Sequence, residues 1–170
     1  MIHLRQYDSP LGTLTLVSDG KALTGLRFGW QDGLGERQQG AGRGGNCGDD
    51  VLPVYEDTCR WLDSYFAGRD PGFLPEMAPV GTPFRKEVWD LLLSIPYGKT
   101  VSYGELAAAV AAARRIGRMS AQAIGGAVGH NPIPIIIPCH RVIAADGSIG
   151  GFSAGLEIKR WLLSHEGIII

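Results

Sequence analysis

The sequence predicts a mixed α/β fold of the α+β type in two lobes. Residues 1–80 form a small N-terminal antiparallel β-sheet lobe with a helix. Residues 81–170 form a mostly helical lobe with a helix-turn-helix. Three observations carry this prediction. Apolar and polar residues alternate near the N-terminus, capped apolar stripes at helical spacing follow residue 82, and a proline-rich stretch at 69–81 separates the two. A chain of 170 residues suits one compact unit or two small lobes, and 45% hydrophobic with 19% charged is ordinary for a soluble globular protein. No apolar run approaches the ~20 residues of a membrane span. The opening "MIHLRQYDSPLG" lacks a basic start followed by an apolar block, so no secretory signal and a cytoplasmic location are expected.

In "GTLTLVSDGKALTGLRF", Leu14 and Leu16 alternate with Thr13, Thr15 and Val17. "SDGK" is a turn, and Leu23 and Leu26 to Phe28 form the returning strand of a hairpin. Residues 31–50 are glycine-rich with almost no apolar side chains; they cannot offset their ordering entropy and are expected to be a mobile loop. A phosphate cradle is rejected there, because no strand–loop–helix frame and no Lys-Ser/Thr accompany the glycines. Val51 to Ala67 reads as a helix with Val54, Thr58, Trp61, Leu62, Tyr65 and Phe66 mostly on one face, Cys59 packing within it, and Gly68 at its end. An extended connector then runs to a lobe boundary near Gly81.

Thr82 caps the next helix and Pro83 begins it; its buried stripe is Phe84, Val88, Leu91, Leu92 and Ile95. Ser102 and Glu105 have capping-box spacing and open a helix through Ala113. After a turn around Ile116 and Gly117, Ser120 caps "AQAIGGAVG". The last helix, Gly155 to Glu166, directs Leu156, Trp161, Leu162 and Leu163 to the core, with Gly167 behind it.

Two short helices joined by a Gly-containing turn resemble a helix-turn-helix. The second is built from very small residues: Ala121, Ala123, Gly125, Gly126 and Ala127. Each interior glycine costs roughly 1 kcal/mol relative to alanine, so something must approach closely. A tightly packed neighbouring helix and a nucleic-acid backbone are the two readings. Residues 81–170 hold 9 Lys/Arg and 6 Asp/Glu, net +3, against 7 and 11, net −4, in residues 1–80. A polyanion would therefore meet the C-terminal half, where Lys99, Arg114, Arg115 and Arg118 surround the helix pair with only Glu105 opposing.

The cysteines, Cys47, Cys59 and Cys139, form no C-x-x-C, and the four histidines have no H-E-x-x-H spacing. No disulfide framework, metal or cofactor is expected. Chemistry concentrates in "NPIPIIIPCHRVI", from Asn131 to Ile143. The run Ile133 to Ile137 predicts a strand or extended segment buried on both sides. Pro138 lacks an N–H and disfavours helix at Ile137, which fixes Cys139 at an irregular point against an apolar wall. Burial alone would raise the thiol pKa and silence it. His140 is the nearest base able to generate thiolate, yet adjacent side chains on an extended chain point to opposite sides. The residues alone leave Cys139 as either a nucleophile or packing.

This stretch resembles the active-site signature of the O6-alkylguanine-DNA alkyltransferases, also called methylated-DNA–protein-cysteine methyltransferases. The blocks "GTPFRKEVW", "IPYGKTVSYGELA", "AIGGAVGHNP" and "KRWLLSHEG" agree with that family in order and spacing. The resemblance is dense over 81–170 and weaker over 1–80, where the hairpin is similar to the family's N-terminal sheet. It implies DNA repair by stoichiometric, single-turnover transfer of an alkyl group from O6-alkylguanine to Cys139 after base flipping, with O4-alkylthymine a further candidate lesion. It also implies that His140 relays the Cys139 proton through water, that Glu166 holds His140, and that Asn131 braces the turn, a nucleophile–base–carboxylate logic. Arg141 is expected to brace the site.

By the same resemblance, Tyr103 would press on the target nucleotide's phosphate, and Val128, Pro134, Val142, Phe152, Ser153 and Ala154 would line the base pocket. Ser120, Ala121, Gln122, Ala123, Gly125 and Gly126 would lie along the minor groove, preceded by Arg118. The implied partner is double-stranded DNA carrying O6-alkylguanine, bound by a monomer, with cooperative assembly on DNA left open and no membrane. Two positions depart from the pattern. Many members carry an intercalating arginine where this chain has Gln122, which lacks the charge and planar stacking; Arg118 is a candidate substitute. Phe152 replaces a frequent tyrosine and cannot donate to the leaving group, so the backbone N–H or hydroxyl of Ser153 would have to. The connection after Tyr103, with its "ARRIGR", is longer than in common members. Two other classes remain: an alkyltransferase-like lesion-binding protein, from which Cys139 distinguishes this chain, and a Cys-His hydrolase.

Overall fold

A computed structural model describes residues 2–29 and 52–170; the loop expected at 31–50, with Cys47, lies outside the described residues. The chain divides into two compact units, Met1–Pro79 and Val80–Ile170.

The first unit joins three antiparallel strands, β1 (His3–Ser9), β2 (Gly12–Ser18) and β3 (Leu23–Phe28), in the order β1-β2-β3, to a helix, α1 (Pro53–Phe66). The central β2 buries Leu14, Leu16 and Val17. Asp19 fixes the β2–β3 turn: its Oδ1 accepts from the backbone N–H groups of Lys21 and Ala22, both at 2.9 Å. β1 was not legible in the sequence. Its inward residues are Arg5 and Tyr7, 8% and 2% exposed, and a charged residue at a buried position hides the alternation. The Arg5 guanidinium lies over the Tyr55 ring at 5.9 Å, which compensates its charge in part.

Helix α1 turns Tyr55, Thr58, Cys59, Leu62 and Tyr65 inward. The Tyr55 hydroxyl donates to the His3 carbonyl (2.8 Å) and the Tyr7 hydroxyl to Asp63 (2.5 Å), tying the helix to β1. Cys59 is 2% exposed on this inward face, the packing position expected of it. The connector is also more ordered than expected. Leu23 N–H donates to the Glu76 carbonyl (2.8 Å) and Ala78 N–H to that of Leu23 (2.9 Å), a bridge that covers the β3 edge.

The second unit runs α2 (Pro83–Leu93), β4 (Val101–Ser102), α3 (Tyr103–Arg114), α4 (Ala121–Gly129), a 3-10 turn (Cys139–Arg141), β5 (Val142–Ile143) and α5 (Leu156–His165). The expected caps are present. Thr82 accepts from Arg85 N–H, Ser102 and Glu105 form a reciprocal capping box, and Ser120 accepts from Ala123 N–H. Helices α2, α3 and α4 share a core of Val88, Trp89, Leu92, Leu106, Val110 and Ile124. The Trp89 indole N–H donates to the Ala127 carbonyl at 2.9 Å.

The isoleucine run departs from expectation. It forms a tight turn, with Ile137 N–H donating to the Ile133 carbonyl (3.0 Å) and Ile135 at φ 74°. Prolines at 132, 134 and 138 lack the N–H groups a strand ladder would use, while the isoleucines stay buried. On α5, Leu156 is 42% exposed instead of facing the core, and Lys159 is fully buried. Among the described residues no helix is long and apolar enough to cross a membrane.

Gly81 is held to glycine by Trp89. A Cβ there would lie 2.4 Å from the ring's Cη2, and the ring is 1% exposed with little room to move. Gly81→Ala should cost about 1–3 kcal/mol by overpacking, measured as a lower urea midpoint at unchanged m-value.

Candidate active site

A two-residue parallel pairing assembles the site. Val101 and Ser102 pair with Val142 and Ile143. Tyr103 follows β4 directly and the Cys139–Arg141 turn directly precedes β5, so the pairing brings these two segments side by side. Asn131 shapes the approach. Its side-chain amide donates to the Ile137 carbonyl (2.8 Å) and its Oδ1 accepts from Ile133 N–H (3.0 Å), closing the isoleucine turn. Its side chain also favours the ionised form of Cys139, which is 4% exposed.

Glu166 is the C-cap of α5, one residue beyond the helix proper. Its Oε1 accepts from Arg141 Nε (2.8 Å) and Gly98 N–H (3.0 Å), and its Oε2 meets His140 Nε2. Arg141 also donates from Nη1 to the Ile95 carbonyl (2.7 Å), which is the bracing role expected of it. Burial would raise the Glu166 carboxyl, but His140, the Gly98 N–H and the Arg141 charge together hold it at about 2. Burial keeps His140 below the usual imidazole range despite the pull of Glu166, so the ring is neutral at pH 7. A neutral ring that donates Nε2–H to a carboxylate carries its lone pair on Nδ1. Burial pushes the Cys139 thiol up to about 11, opposed by Asn131 and by the Lys159 charge. At rest the sulfur is a thiol, not a thiolate.

Lys159 is the residue that sequence reasoning missed. It is fully buried, and its Nζ donates to the carbonyls of Val142 (2.6 Å) and Gly151 (2.9 Å). Burial lowers its pKa to about 8, with Cys139 acting to raise it. The available signal was its position three and four residues before Leu162 and Leu163, on their face of the helix. The Tyr103 ring lies 6.0 Å from Lys159 Nζ. Gly150, at φ 72°, permits this placement: a Cβ there would come within 3.3 Å of the tyrosine ring. Burial raises the Tyr103 hydroxyl pKa, as does Cys139.

The other expected pocket residues are placed unevenly. Val142 and Val128 are buried, Pro134, Phe152 and Ala154 are partly exposed, and Ser153 is exposed. Residues 152–154 lie in the segment before α5, beside the Gly151 carbonyl that Lys159 holds. On α4, Ala121, Gln122, Ala123 and Gly126 are exposed and Gly125 is half-buried. A Cβ added to Gly125 or Gly126 would meet nothing within 4 Å among the described residues, so helix packing does not account for these glycines. Ser120 and Arg118 are exposed beside them. Arg114 differs from the expected open basic cluster: its Nη2 is 2.7 Å from Glu87 and its guanidinium lies over the Phe84 ring at 5.0 Å. Glu87 on α2, as well as Glu105, opposes that cluster.

Residues 83–168 match the family model described as 6-O-methylguanine DNA methyltransferase, DNA binding domain, and residues 2–74 match its ribonuclease-like domain. The chain belongs to the methylated-DNA–protein-cysteine methyltransferase family. A Mycobacterium tuberculosis relative of that name is 42% identical, over 98% of this chain and 93% of its own. A Haemophilus influenzae relative of that name is 38% identical, over 98% and 87%. The mixed α/β fold is similar to that in a crystal structure of Mycobacterium tuberculosis OGT in complex with DNA, with a TM-score of 0.74 and 42% identity, covering 96% of this chain and 92% of that one. Of the two methyltransferase positions where the sequence suggests a departure, Gln122 is exposed and Phe152 is half-buried.

The Glu166 carboxyl sits lower in the folded chain, at about 2, than its ordinary value of 4.5. Its contribution to stability is therefore fully present above about pH 4.5 and lost as pH falls through about 2. Glu166→Gln should destabilise by about 3 kcal/mol at pH 7, leaving Arg141 a buried charge without its carboxylate. The difference between variant and wild type should shrink toward pH 2 in a series of denaturant titrations.

Proposed function

We propose that the protein repairs duplex DNA by moving one alkyl group from guanine O6 to the sulfur of Cys139, once per molecule. The observation that carries this reading is the buried Cys139–His140–Glu166 series, in the same unit as a helix whose outward glycines face open space. Membership of the methylated-DNA–protein-cysteine methyltransferase family supports it.

The chemistry follows from the protonation states. His140 accepts the thiol proton at Nδ1 through a water, and Glu166 stabilises the resulting imidazolium without taking the proton. The thiolate attacks the alkyl carbon; the S–C bond forms as the C–O6 bond breaks, and the electron pair stays on O6. The guanine anion, still joined to its strand, takes up a proton, and over the whole reaction this balances the one that His140 received from the thiol. Lys159, whose charge already favours the thiolate, stabilises the sulfur as it ionises. The thioether product has no good leaving group, so the sulfur is not regenerated.

The lesion must leave the base stack to reach a buried sulfur. Ala121, Ala123, Gly125 and Gly126 let the sugar-phosphate backbone lie close to α4, with Ser120 and Arg118 at its start. Tyr103 acts on the phosphate of the rotated nucleotide, and Val128, Pro134, Val142 and residues 152–154 surround the base. Gln122 takes the place of the vacated base. O4-alkylthymine fits the same displacement chemistry and is the second lesion to test. The protein acts as a monomer that needs no cofactor.

Incubation with a duplex containing O6-methylguanine should add one methyl group per protein, located at Cys139 by intact-mass measurement and peptide mapping. Cys139→Ser should gain none, and an unmodified Cys139 after prolonged incubation would overturn the proposal. Gln122→Arg should raise DNA affinity or transfer rate by supplying the absent charge. If Arg118→Ala weakens binding more than any change at 122, Arg118 is the substitute.

A further inference from the structure

We propose that Arg115 is a phosphate-binding residue for duplex DNA, displayed by the connection between α3 and α4. The inference rests on the DNA-repair reading above and adds a contact that the resemblance does not supply.

Arg115 is the C-cap of α3, with φ 56° and ψ 40°. This left-handed conformation penalises any side chain that carries a Cβ, and glycine is the usual occupant at a helix end of this kind. Among the described residues ten glycines adopt positive φ, and only two other residues do, Arg115 and Ile135. Ile135 is fully buried, so packing accounts for its side chain. Arg115 is exposed, and its side chain makes no hydrogen bond or ion pair among the described residues. The fold gives no reason for an arginine where glycine would be less strained, and an outlier held against its backbone preference points to a use for the side chain.

Its neighbour provides the contrast. Arg114 is engaged by Glu87 and the Phe84 ring, so its role is internal. Beyond it, no Asp or Glu occurs between Glu105 and Asp146. Arg115 and Arg118 therefore stand in a segment with no acidic residue of its own, and Glu87, the carboxylate nearest along the neighbouring helix, is engaged by Arg114; that segment continues into α4. A guanidinium in such a place is suited to a bidentate anion. The anion that would lie along this connection and α4 together is the phosphate backbone of the duplex. An acidic protein surface is the competing class.

The test measures binding of the full chain to an unmodified duplex across a salt series, with melting temperature and alkyl transfer recorded for each variant. Arg115→Gly should melt at the same or a higher temperature, because the strain is relieved. It should bind DNA roughly eightfold more weakly at 0.1 M salt, with the log–log salt slope smaller in magnitude by about 0.9, the signature of one lost phosphate contact. Arg115→Lys should restore most of the slope. Arg114→Ala should melt lower and leave the slope unchanged. Transfer from a free O6-alkylated guanine base, which has no phosphate, should be equal in Arg115→Gly and wild type.

An unchanged slope in Arg115→Gly overturns the proposal, as does a loss of binding matched by a loss of stability. A variant that alters self-association while leaving the slope intact also overturns it, in favour of a protein partner. Wild-type protein that transfers no alkyl group from either substrate overturns the repair reading itself. Normal wild-type transfer with a slope insensitive to residue 115 removes only Arg115.

Discussion

Glu166 receives hydrogen bonds from the backbone of Gly98, the guanidinium of Arg141 and the imidazole of His140. These groups come from two chain segments well separated in sequence, and the carboxylate that joins them sits where α5 ends. Arg141 in turn reaches the carbonyl of Ile95, so the loop after α2, the reactive turn and the last helix meet at one side chain. A buried ion pair of this kind adds little net stability over an apolar replacement, but removing one member is costly because the other charge remains buried. The position of the Cys139 turn therefore depends on electrostatic satisfaction at Glu166 as well as on the isoleucines packed around it.

The same burial keeps the sulfur quiet. A thiol near 11 beside an imidazole held below its usual range passes its proton only uphill, so little thiolate exists without substrate. Low thiolate content slows oxidation and chance alkylation, which would matter under the proposed function, where the sulfur reacts once. In the proposed reaction, reactivity appears when an alkyl carbon is placed in line, because the displacement then draws the charge forward. Lys159 tempers the barrier. Its charge lies close enough to favour the ionised sulfur, while its hydrogen bonds to two carbonyls fix it in place.

Much of this was legible beforehand where a local rule acts alone. The caps at Thr82, Ser102 and Ser120 are decided within a turn of chain and formed as expected, and Val88, Leu92, Leu162 and Leu163 of the apolar stripes are buried, while Phe84 and Leu91 are half-buried and Leu156 is exposed. What stayed hidden depends on tertiary compensation. Arg5 occupies the buried face of β1 because an aromatic ring lies against it, and Lys159 is buried because two carbonyls from another segment receive it. Neither partner is adjacent in sequence. The isoleucine run shows the opposite limit: its composition signals burial correctly, but burial does not distinguish a strand from a tight turn, and the prolines decide. Cys139, His140 and Glu166 were identified through resemblance, while their protonation states required the fold.

The Arg114–Glu87 pair, with Phe84 beneath the guanidinium, gives little energy as a half-exposed ion pair. Its consequence is better seen in conformational freedom. By fastening the last turn of α3 to α2, it gives the following connection a fixed point of departure, and Ser120 fixes the other end by capping α4. A six-residue segment anchored at both ends samples far fewer conformations than a free loop. Most of its ordering entropy is then lost during folding, and a macromolecule that docks on it meets a surface already near its bound shape.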